Sequence, residues 1–398
     1  MTTAHHPAAP HLLVLIAISS VSPLAINIVV PAMPGLQRVF DTDYATVQLA
    51  LSLYLAAFAL GQLIMGPLSD RFGRRPVVLA GLGLFIAGSA MCVAAPNVEV
   101  LLAGRIVQAI GGAAGLSLAR AIVRDLHEKD RAAAMIGYMT TGMAMAQTVS
   151  PTVGGLIYER VGWSGIFWML IVAGVLTLAM AVANLGETNR HRGGRFDLAR
   201  LAGSWRTLLS LPAFVLPTAT AASASAVYFA FMGGAPFIAT ETMGLSPSAY
   251  GLYFVMVAGG YAIGNFFSGR QAARFGTARM INIGNGLALA GTVAMIAGLV
   301  AGIAHPLVLF LPMLMVSIAN GVTLPSAVAE AVSARPDLAG AAAGLNGACQ
   351  VGVGALGSAW AGAYVASGTW PLALIMCGFA TASLLLGIVS ARMLASGA

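Results

Sequence analysis

What this sequence has least of is charge. Only 8% of its 398 residues are Asp, Glu, Lys or Arg, against 59% hydrophobic, and the mean hydropathy is +0.87. A soluble domain carries about 25% charged residues. A chain this poor in charge cannot cover itself with a solvated surface, and it is read as an all-α polytopic membrane protein. Cysteine is scarce as well. Cys92, Cys349 and Cys377 stand singly in apolar stretches, with no CxxC pair and no histidine partner, which excludes a disulfide framework and a thiolate metal site. There is no nucleophile–base pair, phosphate-cradling loop or metal-ligand cluster, so no enzyme, cofactor or metal is expected. The opening MTTAHHPAAPH lacks the positive n-region and small-residue cleavage site of a secretory signal. The first apolar stretch is therefore expected to stay as a helix.

The little charge present organises the rest. Between two apolar segments, GPLSDRFGRRPVVL (Gly66–Leu79) sets Asp70 beside Arg71, Arg74 and Arg75. A bilayer crossing needs about 20 apolar residues. Twelve segments qualify: His11–Met33, Gln48–Leu68, Pro76–Ala95, Val98–Ile122, Ala132–Tyr158, Trp163–Leu185, Leu209–Met232, Pro247–Ser268, Met280–Ala301, Pro306–Val332, Leu338–Val365 and Trp370–Met393. With both termini on one side, 17 of the 20 Lys and Arg fall on that side; Arg38 and Arg160 lie opposite, and Arg105 alone is deep in a span. The positive-inside bias makes the arginine-rich side cytoplasmic. The same scatter of bases through short loops argues against nucleic acid, despite a net charge of +7. The 48 glycines suit close approach between membrane helices.

The longest inner connection, residues 186–208, divides the chain into helices of residues 1–185 and of 209–398. It carries Arg190, Arg192, Arg195, Arg200 and Arg206, and its basic, amphipathic character suits a short helix on anionic headgroups. The halves repeat. At an offset of 203, Gly61, Gly66, Arg71, Phe72, Gly73 and Gly81 fall on Gly264, Gly269, Arg274, Phe275, Gly276 and Gly284, while Asp70 falls on Ala273. Repeated six-helix halves are the sequence form of a two-bundle transporter.

The loop Gly66-x-Leu68-x-Asp70-Arg71-x-Gly73-Arg74-Arg75 resembles the loop 2–3 signature of the major facilitator superfamily. Arg105-x-x-Gln108-x-x-Gly111-Gly112 in the fourth span resembles a second signature, that of drug:proton antiporters. Ser150-Pro151-x-x-Gly154-Gly155 in the fifth is similar to the antiporter motif, with Ser150 and Ala146 where that motif has glycines. Arg120–Leu126 and Pro31-Ala32-Met33-Pro34 are similar to the bicyclomycin/chloramphenicol-resistance branch. The resemblance implies the major facilitator fold: twelve transmembrane helices in two pseudo-symmetric six-helix bundles around a central cavity. It further implies a monomer in the bacterial inner membrane, handling small molecules with protons as coupling ion. That branch carries an aspartate where this chain has Asn27, which cannot titrate. No other acid falls at mid-membrane depth, Glu330 and Asp337 being placed near the inner surface.

Several residues follow as candidates. Gly66, Asp70, Arg71, Gly73 and Arg74, with Asp125 within reach of Arg74, form either a cytoplasmic gate or a plain topological anchor. As a gate, Asp70 is expected against the dipole at the start of the eleventh span, near Asp337–Ala339, when the chain opens outward, and is expected to part from it when the chain opens inward. Arg105 is either a substrate or coupling residue, or a hydrogen-bond hub joining helix 4 to helices 1 and 5 through backbone carbonyls, Asn27 or Gln147. Pro151, Gly154 and Gly155 are either a seal against ion leak or ordinary small-residue packing. Asn27, Tyr54, Arg105, Gln108, Tyr138, Gln147, Tyr228, Tyr261, Asn320 and Gln350 are set out as a central cavity for a moderately apolar ligand, though singly each also reads as an interhelical hydrogen bond. Three functions stay open: proton-coupled efflux of small amphipathic compounds, an uncoupled facilitator or metabolite exporter lacking the helix 1 acid, and a non-transporting membrane sensor. Reporter fusions are expected to put residues 69–75 and the 186–208 connection on one face of the membrane; opposite faces would refute the span count.

Overall fold

Prolonged apolar runs with few breakers become long helices, because lipid offers the backbone no hydrogen-bond partners and each segment must satisfy its own. The computed structural model describes residues 10–189 and 198–395, and every regular element among them is helical. Arg190, Arg192 and Arg195 lie outside the described residues, as does the side chain of Arg200.

The first rod is α1 (Leu12–Ile28), continued through a short 3₁₀ turn at Val30–Ala32 into α2 (Met33–Val39). Then come α3 (Tyr44–Phe72), α4 (Arg74–Val93), α5 (Val98–Leu126), α6 (Lys129–Val161) and α7 (Trp163–Asn184). After the connection follow α8 (Leu198–Leu209), α9 (Pro212–Phe237), α10 (Pro247–Phe275), α11 (Thr277–Val300), α12 (Leu307–Ser333), α13 (Ala339–Tyr364) and α14 (Trp370–Ala395). The starts are capped by short polar side chains: Asp43 accepts from the Thr46 amide, Asn97 from Val100 and Ser246 from Ala249.

Counting α1 with α2 as one and setting aside α8, these make twelve long rods among the described residues. Ten are apolar enough to cross a membrane by composition alone. The other two, α6 and α13, are long enough but dilute their apolar content with Gly, Ala and polar residues. Each of the two packs on a helix of the opposite bundle, α6 on α10 and α13 on α3.

Within the first six, α4 packs on α5 and α7, α3 on α5, and α1 on α5, α6 and α7; within the second six, α9 packs on α13 and α14, α11 on α12 and α14, and α10 on α12. Two crossings join the bundles, α6 on α10 and α3 on α13. The 203-residue repeat is visible in the backbone. Gly73 and Gly276 each end one helix and open the next, at φ 102° and 78° with ψ 154° in both. Only glycine reaches that region without strain, which is why the loop keeps it even where Asp70 has become Ala273.

The connecting helix α8 does more than float at a lipid surface. Leu208 is fully buried and Trp205 half-buried against Phe214, Ala342 and Leu345, and Leu63 of α3 reaches the same cluster.

A side chain at Gly155 would run into the Pro247 carbonyl of α10, one at Gly154 into the Ile28 carbonyl of α1, and one at Gly251 into the Pro151–Thr152 backbone. A Cβ at Gly66 meets nothing within 4 Å. Gly155→Val should therefore cost about 1–3 kcal/mol by overpacking, seen as a lower melting point in detergent. Gly66→Ala should stay within about 0.5 kcal/mol of the parent; equal melting points for Gly155→Val and the parent would refute the close crossing.

Candidate functional site

An arginine in the middle of a bundle must find acceptors, because an isolated guanidinium is costly away from water. Arg105 on α5 is 1% exposed. Its Nε donates to the Ala50 carbonyl at 3.1 Å, and one terminal nitrogen to the Ala25 carbonyl at 3.2 Å and to Gln108 Oε1. The guanidinium also lies over the Tyr54 ring, 4.1 Å from its centroid. The network extends outward. Gln108 donates to Ser89 Oγ at 2.6 Å, Ser89 to the Phe85 carbonyl at 2.7 Å, and the Tyr54 and Ser22 hydroxyls are 2.7 Å apart. Arg105 thus ties α5 to α1, α3 and α4. Arg105 reaches helix 1 through a backbone carbonyl, as one expected reading had it, but its other partners lie on α3 and α5, and neither Asn27 nor Gln147 nor helix α6 takes part. Tyr54 and Gln108, placed in the cavity by the sequence, are spent on holding Arg105.

Asn27 is turned to its own helix, donating to the Pro23 carbonyl at 2.8 Å; its Oδ1 accepts from the Tyr228 hydroxyl of α9 at 3.3 Å. On the other side Gln350 donates to Asn346, Asn346 to Thr218 Oγ1 at 3.1 Å, and Ser225 to Gln350 at 3.3 Å. Asn320 is buried in α12. Tyr261 is half-buried in α10, Gln147 half-buried on α6, and Tyr138 is 61% exposed on α6. Of the ten residues, Tyr54, Arg105 and Gln108 form one buried group and Gln350 belongs to another, Asn27 and Tyr228 bridge the bundles, and α6 carries Gln147 and Tyr138 apart from both.

The basic loop is closed by its own half. Arg74 pairs with Asp70 at 2.6 Å and with Asp125 at 3.0 Å, and it also donates to Ser69 Oγ. Arg71 lies over the Phe72 ring. The Asp70 side chain is 64% exposed, and Asp337 is held by both Nε and a terminal nitrogen of Arg335, at 2.8 and 2.7 Å. Here Asp70 is thus turned to Arg74, four residues on in its own loop, and not to the start of α13. That pair of hydrogen bonds from Arg335 also holds the Asp337 carboxyl below its ordinary range.

Two residues escaped sequence reading. The Glu187 carboxylate accepts from the backbone amides of Arg74 and Arg75, at 2.9 and 3.3 Å, and fills the space a Cβ on Gly73 would take. An anion at the start of α4 suits that helix end. Asn189 caps the end of α3, donating to the Ser69 and Asp70 carbonyls. The one available signal was position, since Glu187 is the first acid after the sixth span.

The opposite end is where the bundles hold each other. Arg38 pairs with Glu241 at 2.7 Å, Glu159 accepts from the Ser248 amide at 2.8 Å, Tyr44 donates to the Gly233 carbonyl at 2.9 Å, and Gln48 to Ser358 at 2.6 Å. Arg38 and Glu241 are themselves 203 residues apart, so the repeat could have pointed to them. Among the described residues, every hydrogen bond or ion pair between the two bundles lies at this end or at the Asn27–Tyr228 level.

Two helical bundles joined at one end, each with a polar interior and a glycine-hinged loop, define a polytopic membrane transporter. Residues 15–358 match the Major Facilitator Superfamily profile, and the chain belongs to that family. It is 31% identical over 319 residues to a Chloramphenicol resistance protein of Pseudomonas aeruginosa, covering 79% of this chain and 72% of that one. It is 29% identical over 356 residues to Multidrug resistance protein D of Escherichia coli, with 87% of each covered. A match at 30% identity to an uncharacterized transporter of Rickettsia bellii covers 64% of this chain and 63% of that protein. In fold it is similar to a bacterial homolog of the human lysosomal transporter Spinster, with a TM-score of 0.74, 15% identity and 96% of both chains aligned. The family consists of transporters, not enzymes.

Arg105→Ala removes a charge with no carboxylate partner but strands Gln108 and leaves a hole under Tyr54. A stability loss of roughly 2–4 kcal/mol is expected. Arg105→Lys keeps the charge and loses the fork, so it should fall between. Full stability of the alanine variant in detergent would show that Arg105 is held for another purpose.

Proposed function

We propose that this chain exports small amphipathic compounds across the bacterial inner membrane by alternating access, with the arginine-rich end cytoplasmic. The observation that carries the reading is the asymmetry of the bonds: the bundles are tied together at the far end and at the Asn27–Tyr228 level, while the basic loop is bonded within its own half and to Glu187 and Asn189 of the connection, not to the second bundle. That pattern is what a carrier sealed from the outside requires. Opening outward would break Arg38–Glu241, Gln48–Ser358 and the α6–α10 crossing, and would bring the Gly66–Arg74 loop against the second bundle as a cytoplasmic gate. Pro151, Gly154 and Gly155 would serve as the outer seal. The resistance proteins among the relatives support an amphipathic substrate, and the Arg105 network supports a first bundle that moves as one piece. The helices of residues 1–185 and 209–398 would be the moving bodies, with the 186–208 connection between them and lipid around a single monomer. Nucleic acid has no part in this reading.

Proton antiport is the coupling implied by the resemblance of the Arg105 and Ser150–Gly155 motifs to those of drug:proton antiporters. One observation favours an uncoupled exporter instead: the position of the branch's aspartate is Asn27, already engaged by Pro23 and Tyr228. Uptake of chloramphenicol or ethidium into inverted vesicles, with and without an imposed pH gradient, separates the two. Gradient-driven uptake supports antiport; uptake indifferent to the gradient removes coupling and leaves transport. No uptake of any compound that the overexpressed chain protects cells against would overturn transport itself. Asn27→Asp should add pH dependence to flux if the loss of that acid is what uncoupled the chain.

A further inference from the structure

The acids of this chain are almost all accounted for. Among the described residues Asp70 and Asp125 pair with Arg74, Glu241 with Arg38 and Asp337 with Arg335. Asp43 caps α3, Glu159 takes the Ser248 amide and Glu187 caps α4, while Asp41, Glu99 and Glu128 face outward. Glu330 alone is withdrawn from solvent with neither carboxylate oxygen hydrogen-bonded.

It does not sit in tight packing. Glu330 lines a cavity of about 360 Å³ inside the second bundle, walled by Pro212, Ala213 and Leu216 of α9, Thr277 of α11, Ala329 and Ser333 of α12, and Ser390 and Met393 of α14. The cavity lies apart from the Asn27–Tyr228 level and from the contacts between bundles. The Thr277 hydroxyl stands beside the carboxylate without closing a hydrogen bond onto it. Glu330 is one turn from the end of α12, which at 1.5 Å per residue places it about one helical turn below the basic end of the bundle. With the basic end at the membrane surface, as the positive-inside bias puts it, that depth adjoins the lipid headgroups.

The chemistry of the lining narrows the ligand. One carboxylate cannot hold a divalent cation, which asks for six or more oxygens with several of them anionic. No group of three or more His, Cys, Asp or Glu able to hold a metal occurs among the described residues. Three hydroxyls around one carboxylate, with an otherwise aliphatic wall, match a primary ammonium on a short carbon stem. Its three N–H donors would reach Glu330 and the Thr277, Ser333 or Ser390 hydroxyls, and the stem would lie on Leu216, Ala329 and Met393.

We propose that the Glu330 cavity is a binding site for a primary ammonium group, supplied either by a free small amine or by the ethanolamine headgroup of an inner-leaflet lipid. The site is separate from the central pathway, and the proposal does not depend on the transport reading.

The full chain, purified in detergent, is titrated with ethanolamine and with choline while its melting point is followed; in parallel it is melted in nanodiscs containing phosphatidylethanolamine or phosphatidylcholine. Saturable stabilisation by ethanolamine but not choline is expected if the source is a free amine. Stabilisation confined to phosphatidylethanolamine discs is expected if the source is the lipid. In either arm Glu330→Gln should weaken the effect about tenfold or more, the size of one charge-assisted hydrogen bond. Ala329→Leu, which fills the cavity and leaves the acid, should do the same. Equal responses of the parent and Glu330→Gln in both arms would overturn the site, as would a response fully kept by Ala329→Leu or choline matching ethanolamine.

Discussion

The structure depends on how a single guanidinium is accommodated where no carboxylate is near. Lipid-depth arginine is tolerated only with its donors occupied, and Arg105 achieves this with carbonyls of two neighbouring helices, one amide and one aromatic face. The consequence is mechanical. Because the acceptors belong to α1 and α3, and the second layer reaches α4 through Ser89, four of the first six helices cannot slide past one another without stranding the charge. The surfaces between bundles are held more sparely, where glycines meet backbone and polar bonds are few.

Those surfaces are built twice. The α6–α10 crossing sets Gly155 on Pro247 and Gly251 on the Pro151–Thr152 backbone. The α3–α13 crossing sets Gln48 against Ser358 and Gly362. Shifting by the internal repeat turns Gln48 into Gly251 and Gly155 into Ser358, so the two crossings occupy equivalent places. One is made by bare backbone and the other by an amide and a hydroxyl. Equivalent geometry thus carries unequal chemistry, close backbone contact at one crossing and directed bonds at the other.

Much of the fold was legible beforehand. The span count, the position of the long connection, the repeat and the Arg74–Asp125 contact all follow from hydropathy, charge placement and spacing, because a bilayer imposes length and sidedness on every segment. The cavity residues were less legible. Tyr54 and Gln108 could be read as ligand contacts or as interhelical bonds, and in the structure both hold Arg105; Tyr138 is exposed on α6. A polar side chain in a span must be satisfied by something, and a linear sequence does not say whether that partner is a neighbouring helix or a bound molecule.

Asp70 and Glu187 mark the division most plainly. Composition and periodicity by themselves determined a twelve-helix membrane chain with an arginine-rich end, since lipid leaves few other solutions for such residues. Only the tertiary structure decided that Asp70 turns to Arg74, that Glu187 comes from the connection to cap α4 and occupy the space beside Gly73, and that Glu330 is left facing a cavity. These outcomes hang on distances of a few ångströms between segments far apart in the chain, and a small rotation of one helix would exchange one partner for another.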